Sequence, residues 1–176
     1  GVTSDPAIIP LVDAMICFDT FDFGSCLPPE DPTHWVPDMR YEYYAPGLYE
    51  VVMDMAERYP DLPLVVTEAG IAARNGTRRA ENVVRTMEQL DRAMQDGADV
   101  RGYYHWSLVD NFEWAEGYEP KFGLYRVDLD TYERTATEGA TVLGDIAEAR
   151  ALSESLRTQF GGNGPMSPAI AASEEE

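Results

Sequence analysis

The sequence predicts an α/β protein in which parallel strands are joined by helices. Strand-like and helix-like patterns alternate three times along the chain, and the strand segments are continuous apolar runs rather than alternating ones. That order is typical of parallel βαβ units with right-handed crossovers. An open doubly wound sheet and part of a (β/α)₈ barrel both fit the pattern. No Gly-x-Gly-x-x-Gly follows a strand, so a nucleotide-binding fold of that type is not indicated.

The first predicted strand is residues 13–18, a short apolar run that is followed by a proline-rich loop over residues 24–37. A helix then begins near Pro46, because proline is well tolerated in a first helical turn. Pro60 and Pro63 end this helix. Its apolar face is marked by residues at helical spacing: Leu48, Val51, Val52, Met55 and Tyr59.

The second predicted strand is residues 64–67, which we expect to be buried on both faces. A second helix ends at Gly97 and has an apolar face of Val83, Met87, Leu90 and Met94. Residues 100–109 predict another buried strand, and residues 123–127 a short β-prone stretch after an aromatic loop. The last predicted helix carries these apolar residues: Val142, Ile146, Ala149, Leu152 and Leu156.

Length and charge limit the possible function classes. The 176 residues are enough for one domain with a core, and 13 Lys and Arg against 32 Asp and Glu give a net charge of -19. This charge argues against nucleic-acid and anionic membrane partners. No apolar run could span a bilayer and no signal peptide opens the chain, so we expect a cytoplasmic location. Residues 161–176 predict a disordered acidic tail.

Metal and cofactor chemistry is not indicated by the sequence. The two cysteines, Cys17 and Cys26, are too few for a metal cluster or a disulfide framework. The two histidines, His34 and His105, do not stand at a spacing typical of metal ligands. We therefore expect no cofactor.

Two polar segments follow predicted strands, at the edge where parallel α/β folds bind ligands. Glu68 comes directly after residues 64–67, a position where an ordinary solvated glutamate is more common than a catalytic one. Residues 105–118 interleave aromatic residues with Asp110, Asn111, Glu113 and Glu116. Aromatic rings stack on the apolar faces of pyranose sugars, and carboxylates bind their hydroxyls. A sugar site and a packed loop with solvated acids fit this composition equally well.

These segments resemble the family 1 glycoside hydrolases. Thr67-Glu-Ala-Gly70 is similar to the nucleophile motif Thr-Glu-Asn-Gly of that family, and residues 101–118 with Lys121-Phe-Gly-Leu124 resemble its C-terminal signature. Residues 38–49 resemble the segment before the penultimate barrel strand, and residues 97–103 are similar to the archaeal-type β-glycosidase branch. The resemblance covers residues 35–150. It implies a partial (β/α)₈ barrel, about the last three βα units with strands six to eight, in a domain of residues 1–160.

The resemblance also implies a role for five residues. Glu68 would be the nucleophile of a retaining double displacement on a β-glucoside or β-galactoside. Trp106 would form the platform under the sugar, Glu113 would hold its outer hydroxyls, and Trp114 would bond a neighbouring hydroxyl. Phe122 would line the same pocket. The carboxylate of Glu113 favours a neutral sugar, because it would repel the phosphate of a 6-phosphorylated one.

The sequence departs from the family pattern in three places. Ala69 stands where the family has Asn, and Phe21, in the nearest match to an Asn-Tyr-Tyr motif, has no hydroxyl to steady the nucleophile. The Asn-Glu-Pro motif that supplies the catalytic acid in the family is absent from this sequence. We therefore expect a C-terminal portion of a barrel that is inactive alone. A non-catalytic sugar-binding remnant, or a half-barrel that assembles with a separate N-terminal half, is the alternative.

Overall fold

The computed structural model describes residues 32–169. The predicted strand at 13–18, Phe21 and both cysteines lie outside these residues. The described elements are a 3₁₀ helix Pro32–His34, β1 Trp35–Val36, β2 Tyr41–Glu42, α1 Pro46–Arg58, β3 Leu64–Ala69, α2 Gly76–Gln95, β4 Val100–His105, a 3₁₀ helix Trp114–Glu116, β5 Tyr125–Val127, β6 Arg134–Ala136, α3 Glu138–Ala149 and α4 Glu154–Phe160. Among them, no helix is long and apolar enough to cross a membrane.

The centre of the fold is the unit β3–α2–β4, in which the two strands pair in parallel. Leu64 lies opposite Val100 at one end of the pair, and Ala69 lies opposite His105 at the other. The helix between them begins where the side chain of Asn75 accepts a hydrogen bond from the backbone N–H of Thr77 at 2.9 Å. Its end is followed by a glycine in the left-handed region, with φ 102°. The parallel βαβ unit expected from the sequence is therefore present.

Helix α2 packs against helices on two sides. On one side its apolar residues meet α3 and α4 in a buried cluster: Ala80, Val83, Val84, Leu124, Val142, Ile146 and Phe160. On the other side a second cluster joins α2 to α1 and to the residues of β3 and β4 that face the helices, and it includes Val52, Leu64, Val66, Leu90 and Ala93. These contacts hold the helical layer on one face of the β3–β4 pair.

The expectation that β3 is buried on both faces is wrong for the described residues. Leu64 and Val66 pack against the helices, whereas Val65 on the opposite face is 50% exposed. The side chains of a strand alternate between its two faces, so a face without a covering layer exposes every second residue. Within residues 32–169, β3 and β4 form a sheet of only two strands.

Two other elements differ from their predicted extents, and a third, α1, differs in how much of its apolar face is buried. The strand expected at 100–109 ends at His105, and the chain then leaves the sheet through a cis peptide bond between Trp106 and Ser107. The single last helix is two helices, because Arg150 adopts a left-handed φ of 51° and ends α3. On α1 only Val52 of the expected apolar face is fully buried. The short β-prone stretch at 123–127 contains β5, which pairs antiparallel with β6.

The segment 161–169 also differs from the disordered tail that its composition predicts. Met166 is 5% exposed in an apolar cluster, and the backbone N–H of Ser167 donates to the carboxylate of Glu81 at 2.9 Å. The guanidinium of Arg85 donates to the carbonyl oxygens of Gly164 and Pro165 at 2.9 and 3.2 Å. Hydrogen bonds to residues of α2 thus hold this segment in place, and the composition of the segment does not indicate them. Residues 170–176 lie outside the described part.

Candidate functional site

Glu68 lies near the carboxyl end of β3, and its side chain is exposed on the sheet edge. The next residue, Ala69, accepts a hydrogen bond from the backbone N–H of Trp106 at 3.0 Å. This bond joins the end of β3 to the residue that follows β4. The structure therefore brings Glu68 and Trp106 to the same edge of the parallel pair, where ligands of such folds bind.

Trp106 and Phe122 meet in one apolar cluster above this edge. Phe122 is buried, and Trp106 is half-buried against the cluster formed by Val36, residues 71–73, Phe122 and Met166. The carbonyl oxygen of Phe122 accepts from the backbone N–H of Ser107 at 3.2 Å, and the N–H of Leu124 donates back to Ser107 at 2.8 Å. This main-chain pairing places Phe122 beside the platform expected at Trp106.

Glu113 and Trp114 lie in the turn that connects these segments. The backbone N–H of Glu113 donates to the carbonyl of Gly117 at 2.6 Å, which closes the turn. One carboxylate oxygen of Glu113, Oε2, is buried without a hydrogen-bond partner among the described residues. Burial first, and then the carboxylate of Glu113, raise the pKa of Tyr41 above its usual range. Glu113 thus faces Tyr41 with one acceptor atom unused.

Trp114, like Glu68, is an expected site residue that the described structure leaves exposed. It has a left-handed φ of 47° and its side chain is 81% exposed. The structure therefore groups Glu68, Trp106 and Phe122 closely, with Glu113 in the adjoining turn and Trp114 pointing outward.

His105 is a half-buried neighbour of the site, and the sequence assigns no role to it. Its Nδ1 lies 2.9 Å from the hydroxyl oxygen of Tyr103, and that hydroxyl donates to the carbonyl of Ala69 at 3.1 Å. Burial first, and then the cation of Arg79, lower the pKa of His105 to about 4. His105 is therefore neutral near pH 7 and serves as a hydrogen-bonding group under the end of β3.

Arg79 and Asp110 are further buried charges near the site. Arg79 is 0% exposed, and burial lowers its pKa to about 10, while the carboxylate of Asp110 acts in the opposite direction. Asp110 is itself buried and accepts a hydrogen bond from the backbone N–H of Gly123 at 2.9 Å. A buried arginine has no distinct sequence signal, because a helical arginine is usually solvated. Within residues 32–169 no group of three His, Cys, Asp or Glu residues could hold a metal ion.

Comparison with known proteins identifies relatives of this arrangement. The sequence model described as Glycosyl hydrolase family 1 matches residues 23–151. A beta-galactosidase of Sulfolobus acidocaldarius is 40% identical over 119 residues, which is 68% of this chain and 24% of that protein. Beta-glucosidase 47 of Arabidopsis thaliana is 43% identical over 115 residues, which is 61% of this chain and 22% of that protein.

Solved structures are similar to this chain over the same region. The beta-glycosidase from Pyrococcus horikoshii superposes with a TM-score of 0.68 at 38% identity, covering 71% of this chain and 29% of that one. A family 1 b-glucosidase from Thermotoga maritima superposes with a TM-score of 0.62 at 29% identity, covering 65% of this chain and 28% of that one. The chain thus spans about a quarter of the length of these relatives.

Proposed function

This chain belongs to glycosyl hydrolase family 1, and from that membership we propose that it supplies the nucleophile and much of the sugar pocket of a retaining β-glycosidase. The reaction is hydrolysis of O-glycosyl bonds in β-glucosides or β-galactosides. Relatives with these activities in their names include a beta-galactosidase and a bifunctional beta-D-glucosidase/beta-D-fucosidase. Residues 1–160 form the C-terminal part of a (β/α)₈ barrel, with β3 as its seventh strand and β4 as its eighth.

The observation that carries this proposal is the position of Glu68 at the carboxyl end of β3, bonded through Ala69 to Trp106. In a retaining mechanism an ionised carboxylate attacks the anomeric carbon and forms a glycosyl-enzyme bond as the leaving oxygen departs. Water then breaks that bond and restores the carboxylate. The exposure of Glu68 suits this role, because an exposed carboxylate at the end of the strand is accessible to a substrate.

The sugar that undergoes this attack stacks on neighbouring aromatic side chains. We assign the ring platform to Trp106 and the pocket wall to Phe122, which share one cluster beside β3. Glu113 accepts hydrogen bonds from the outer hydroxyls, and its unused buried oxygen supports this role. Trp114 donates its indole N–H to a neighbouring hydroxyl. A carboxylate at this place favours a neutral sugar over a phosphorylated one, because like charges repel.

The proposed site needs an acid that the sequence does not provide. Retaining enzymes place a second carboxylic acid about 5–5.5 Å from the nucleophile, where it protonates the leaving oxygen. Because the Asn-Glu-Pro motif is absent, we propose that this chain is inactive alone and that an N-terminal half-barrel completes the site. The 50% exposure of Val65 on the inner face of β3 supports this requirement for a covering partner.

An assembly experiment tests this function. The 176-residue chain is assayed with an aryl β-glucoside alone and after co-expression with the N-terminal part of the Sulfolobus acidocaldarius relative. Turnover is expected only in the assembled protein, and Glu68→Gln should abolish it, because the amide matches the carboxylate in size but is not nucleophilic. Glu57→Gln, on the exposed side of α1, is the matched control. Turnover by the isolated chain, or by the assembled Glu68→Gln variant, would refute the proposal.

A non-catalytic sugar-binding role is the second candidate, and the missing acid motif favours it. Under this role Trp106 and Glu113 would bind a monosaccharide in the isolated chain, with Glu68 as a bystander. Titration of the chain with glucose, followed by tryptophan fluorescence, separates the two functions. Saturable binding that Glu68→Gln leaves unchanged, together with no turnover in any assembly, would favour the binding role.

A further inference from the structure

The segments that follow β3 and β4 are fastened together by main-chain hydrogen bonds on the inner side of α2. The backbone N–H of Ala73 donates to the carbonyl of Lys121 at 3.0 Å. Within the segment that follows β4, the carbonyl of Phe122, next to Lys121, accepts from the backbone N–H of Ser107, the residue after Trp106, at 3.2 Å. The segment after Glu68 and the segment that carries Trp106 and Phe122 therefore share a boundary, and its geometry sets the distance between the proposed nucleophile and the sugar pocket.

Arg79 projects from the first turns of α2 into this boundary. Its Nη2 donates to the carbonyl oxygens of both Ala73 and Lys121, one on each segment. The side chain is fully buried, and Nε and Nη1 have no hydrogen-bond partner among residues 32–169. Burying a guanidinium costs free energy that a neutral side chain would not lose, so stability alone is a poor reason for an arginine here.

Packing around Arg79 allows it little freedom. Gly139, in the first turn of α3, lies against its stem, and a Cβ added to Gly139 would come within 2.7 Å of Cγ of Arg79. The carboxylate of Asp110 lies near enough to offset part of the cost of burying the cation. Asp110 in turn accepts from the backbone N–H of Gly123, one residue beyond Phe122. The guanidinium is thus held from one side by a helix and from the other by the sugar-pocket segment.

We propose that Arg79 is a positioning residue that holds the segments after β3 and β4 in register, and so fixes Glu68 relative to Trp106 and Phe122. The inference rests on the proposed function for its consequence in catalysis, but the register itself belongs to this chain. Arg79 touches neither Glu68 nor the sugar and acts through the carbonyls of Ala73 and Lys121. Nη2 donates to both oxygens and is held in place by the rigid plane of the guanidinium, whereas a lysine ammonium on a flexible stem is placed less firmly.

Hydrogen exchange of the 176-residue chain tests the register without any need for activity. In Arg79→Lys the amides of Ala73 and Ser107 should exchange about tenfold faster or more, because their acceptors lie on the segment that is released. Arg85→Lys is the matched control: Arg85 is also a buried arginine of α2 that bonds to carbonyls, but those of Phe160, Gly164 and Pro165. It should speed exchange in residues 161–167 and leave Ala73 and Ser107 unchanged.

A second pair of variants moves Arg79 without replacing it. Gly139→Ala should displace the arginine stem and speed exchange at Ala73 and Ser107 in the same way. Gly144→Ala, in the same helix, is its control, because a Cβ there meets no atom within 4 Å. Unchanged exchange at Ala73 and Ser107 in both Arg79→Lys and Gly139→Ala would overturn the proposal, whatever the assembled protein does.

The catalytic consequence is read in the assembled barrel. Arg79→Lys should lower kcat about tenfold to hundredfold with KM changed less than about threefold, since misplaced groups lose transition-state contacts. Arg85→Lys should keep kcat even if it loses as much thermal stability. If Arg79→Lys speeds exchange at Ala73 and Ser107 but leaves kcat unaltered, Arg79 has only a structural role, and the proposed positioning role is overturned. If the unsubstituted assembly shows no turnover, the proposed function fails, and the exchange rates alone decide the register.

Discussion

Gly70 lies against the main-chain carbonyl oxygen of Trp106, so closely that any side chain at Gly70 would overlap it. Gly70 is two residues beyond the proposed nucleophile, and Trp106 is the proposed sugar platform. The hydrogen bond from Trp106 to Ala69 lies immediately beside this contact. The absence of a side chain at one position therefore permits the ends of two neighbouring strands to approach each other at the site.

Replacement of Gly70 by alanine should force these strand ends apart. We expect Gly70→Ala to lower the stability of the chain by about 1–3 kcal/mol, because a methyl group is inserted into a packed contact with backbone. The near-ultraviolet circular dichroism of the tryptophans should change with it. Gly164→Ala is the control, since a Cβ there meets nothing within 4 Å. Equal unfolding midpoints for the two variants would contradict the contact.

Glu113 is expected to trade stability for function. Its buried and unpaired oxygen costs free energy in the empty protein, so Glu113→Ala should not lower, and should slightly raise, the thermal midpoint of the chain. In the assembled enzyme the same change should lower kcat/KM by an amount equivalent to roughly 2–4 kcal/mol of transition-state stabilisation, because hydroxyl groups of the sugar lose their acceptor. Glu116→Ala, an exposed residue of the same turn, is the control. A destabilised variant with normal kcat/KM would mark Glu113 as structural.

The same variant should change the titration of Tyr41. Because the carboxylate of Glu113 is one of the groups that raise the pKa of Tyr41, its removal should lower that pKa toward the ordinary value. The phenolate absorbance is titrated in Glu113→Ala, in the unsubstituted chain, and in the double variant Glu113→Ala with Tyr41→Phe. The difference between Glu113→Ala and the double variant isolates the titration of Tyr41. Identical titration curves for the first two proteins would place Glu113 away from Tyr41.

His105 should make the stability of the chain depend on mildly acidic pH. Its pKa in the folded protein is about 4, against 6.5 for the ordinary group, so the unfolded chain binds the proton more tightly. Stability is therefore fully present above pH 6.5 and falls as the pH drops toward 4, by about 3 kcal/mol in total. His105→Gln should remove this component from urea unfolding measured at pH 7 and pH 5. If the free energy of unfolding changes between pH 7 and pH 5 by the same amount in both proteins, His105 is not the source of the change.

The segment 161–169 offers a test of order against disorder. Met166→Ala should cost about 2–5 kcal/mol, because a buried side chain leaves a cavity in the cluster that contains Phe122. Asn163→Ala, exposed in the same segment, should have no effect on the unfolding midpoint. If the segment is disordered as its composition indicates, both variants will unfold at the temperature of the unsubstituted chain.

The parallel unit β3–α2–β4 could be predicted from the sequence because its signals are local. The helical spacing of Val83, Met87 and Leu90 and the glycine at position 97 that ends the helix each depend on neighbours within one or two turns. The exposure of Val65 could not be predicted this way, because a continuous apolar run does not tell how many layers cover it. The packing of residues 161–169 depends on Arg85 and Glu81, about 80 positions earlier, and a composition rich in Gly, Pro and Ser conceals it.

The candidate site also contains residues that the sequence predicts and residues that it does not. Glu68, Trp106 and Phe122 were expected together from their motifs, and the structure brings them to one edge of the sheet. Trp114 is exposed and has a left-handed backbone, neither of which the residue type reveals. Arg79 was not expected at all, because a helical arginine gives the same pattern whether it is solvated or buried under two loops. Only the three-dimensional arrangement shows which carbonyls it reaches.

Covalent labelling of the assembled protein by an activated 2-deoxy-2-fluoro-β-glucoside tests whether Glu68 is the nucleophile. The fluorine slows hydrolysis of the glycosyl-enzyme more than its formation, so the nucleophile is trapped and peptide mass spectrometry can locate it. We expect one fluoro-sugar per molecule, attached to the carboxylate of Glu68. Attachment to any other carboxylate of the chain, such as Glu113 or Asp110, would contradict it.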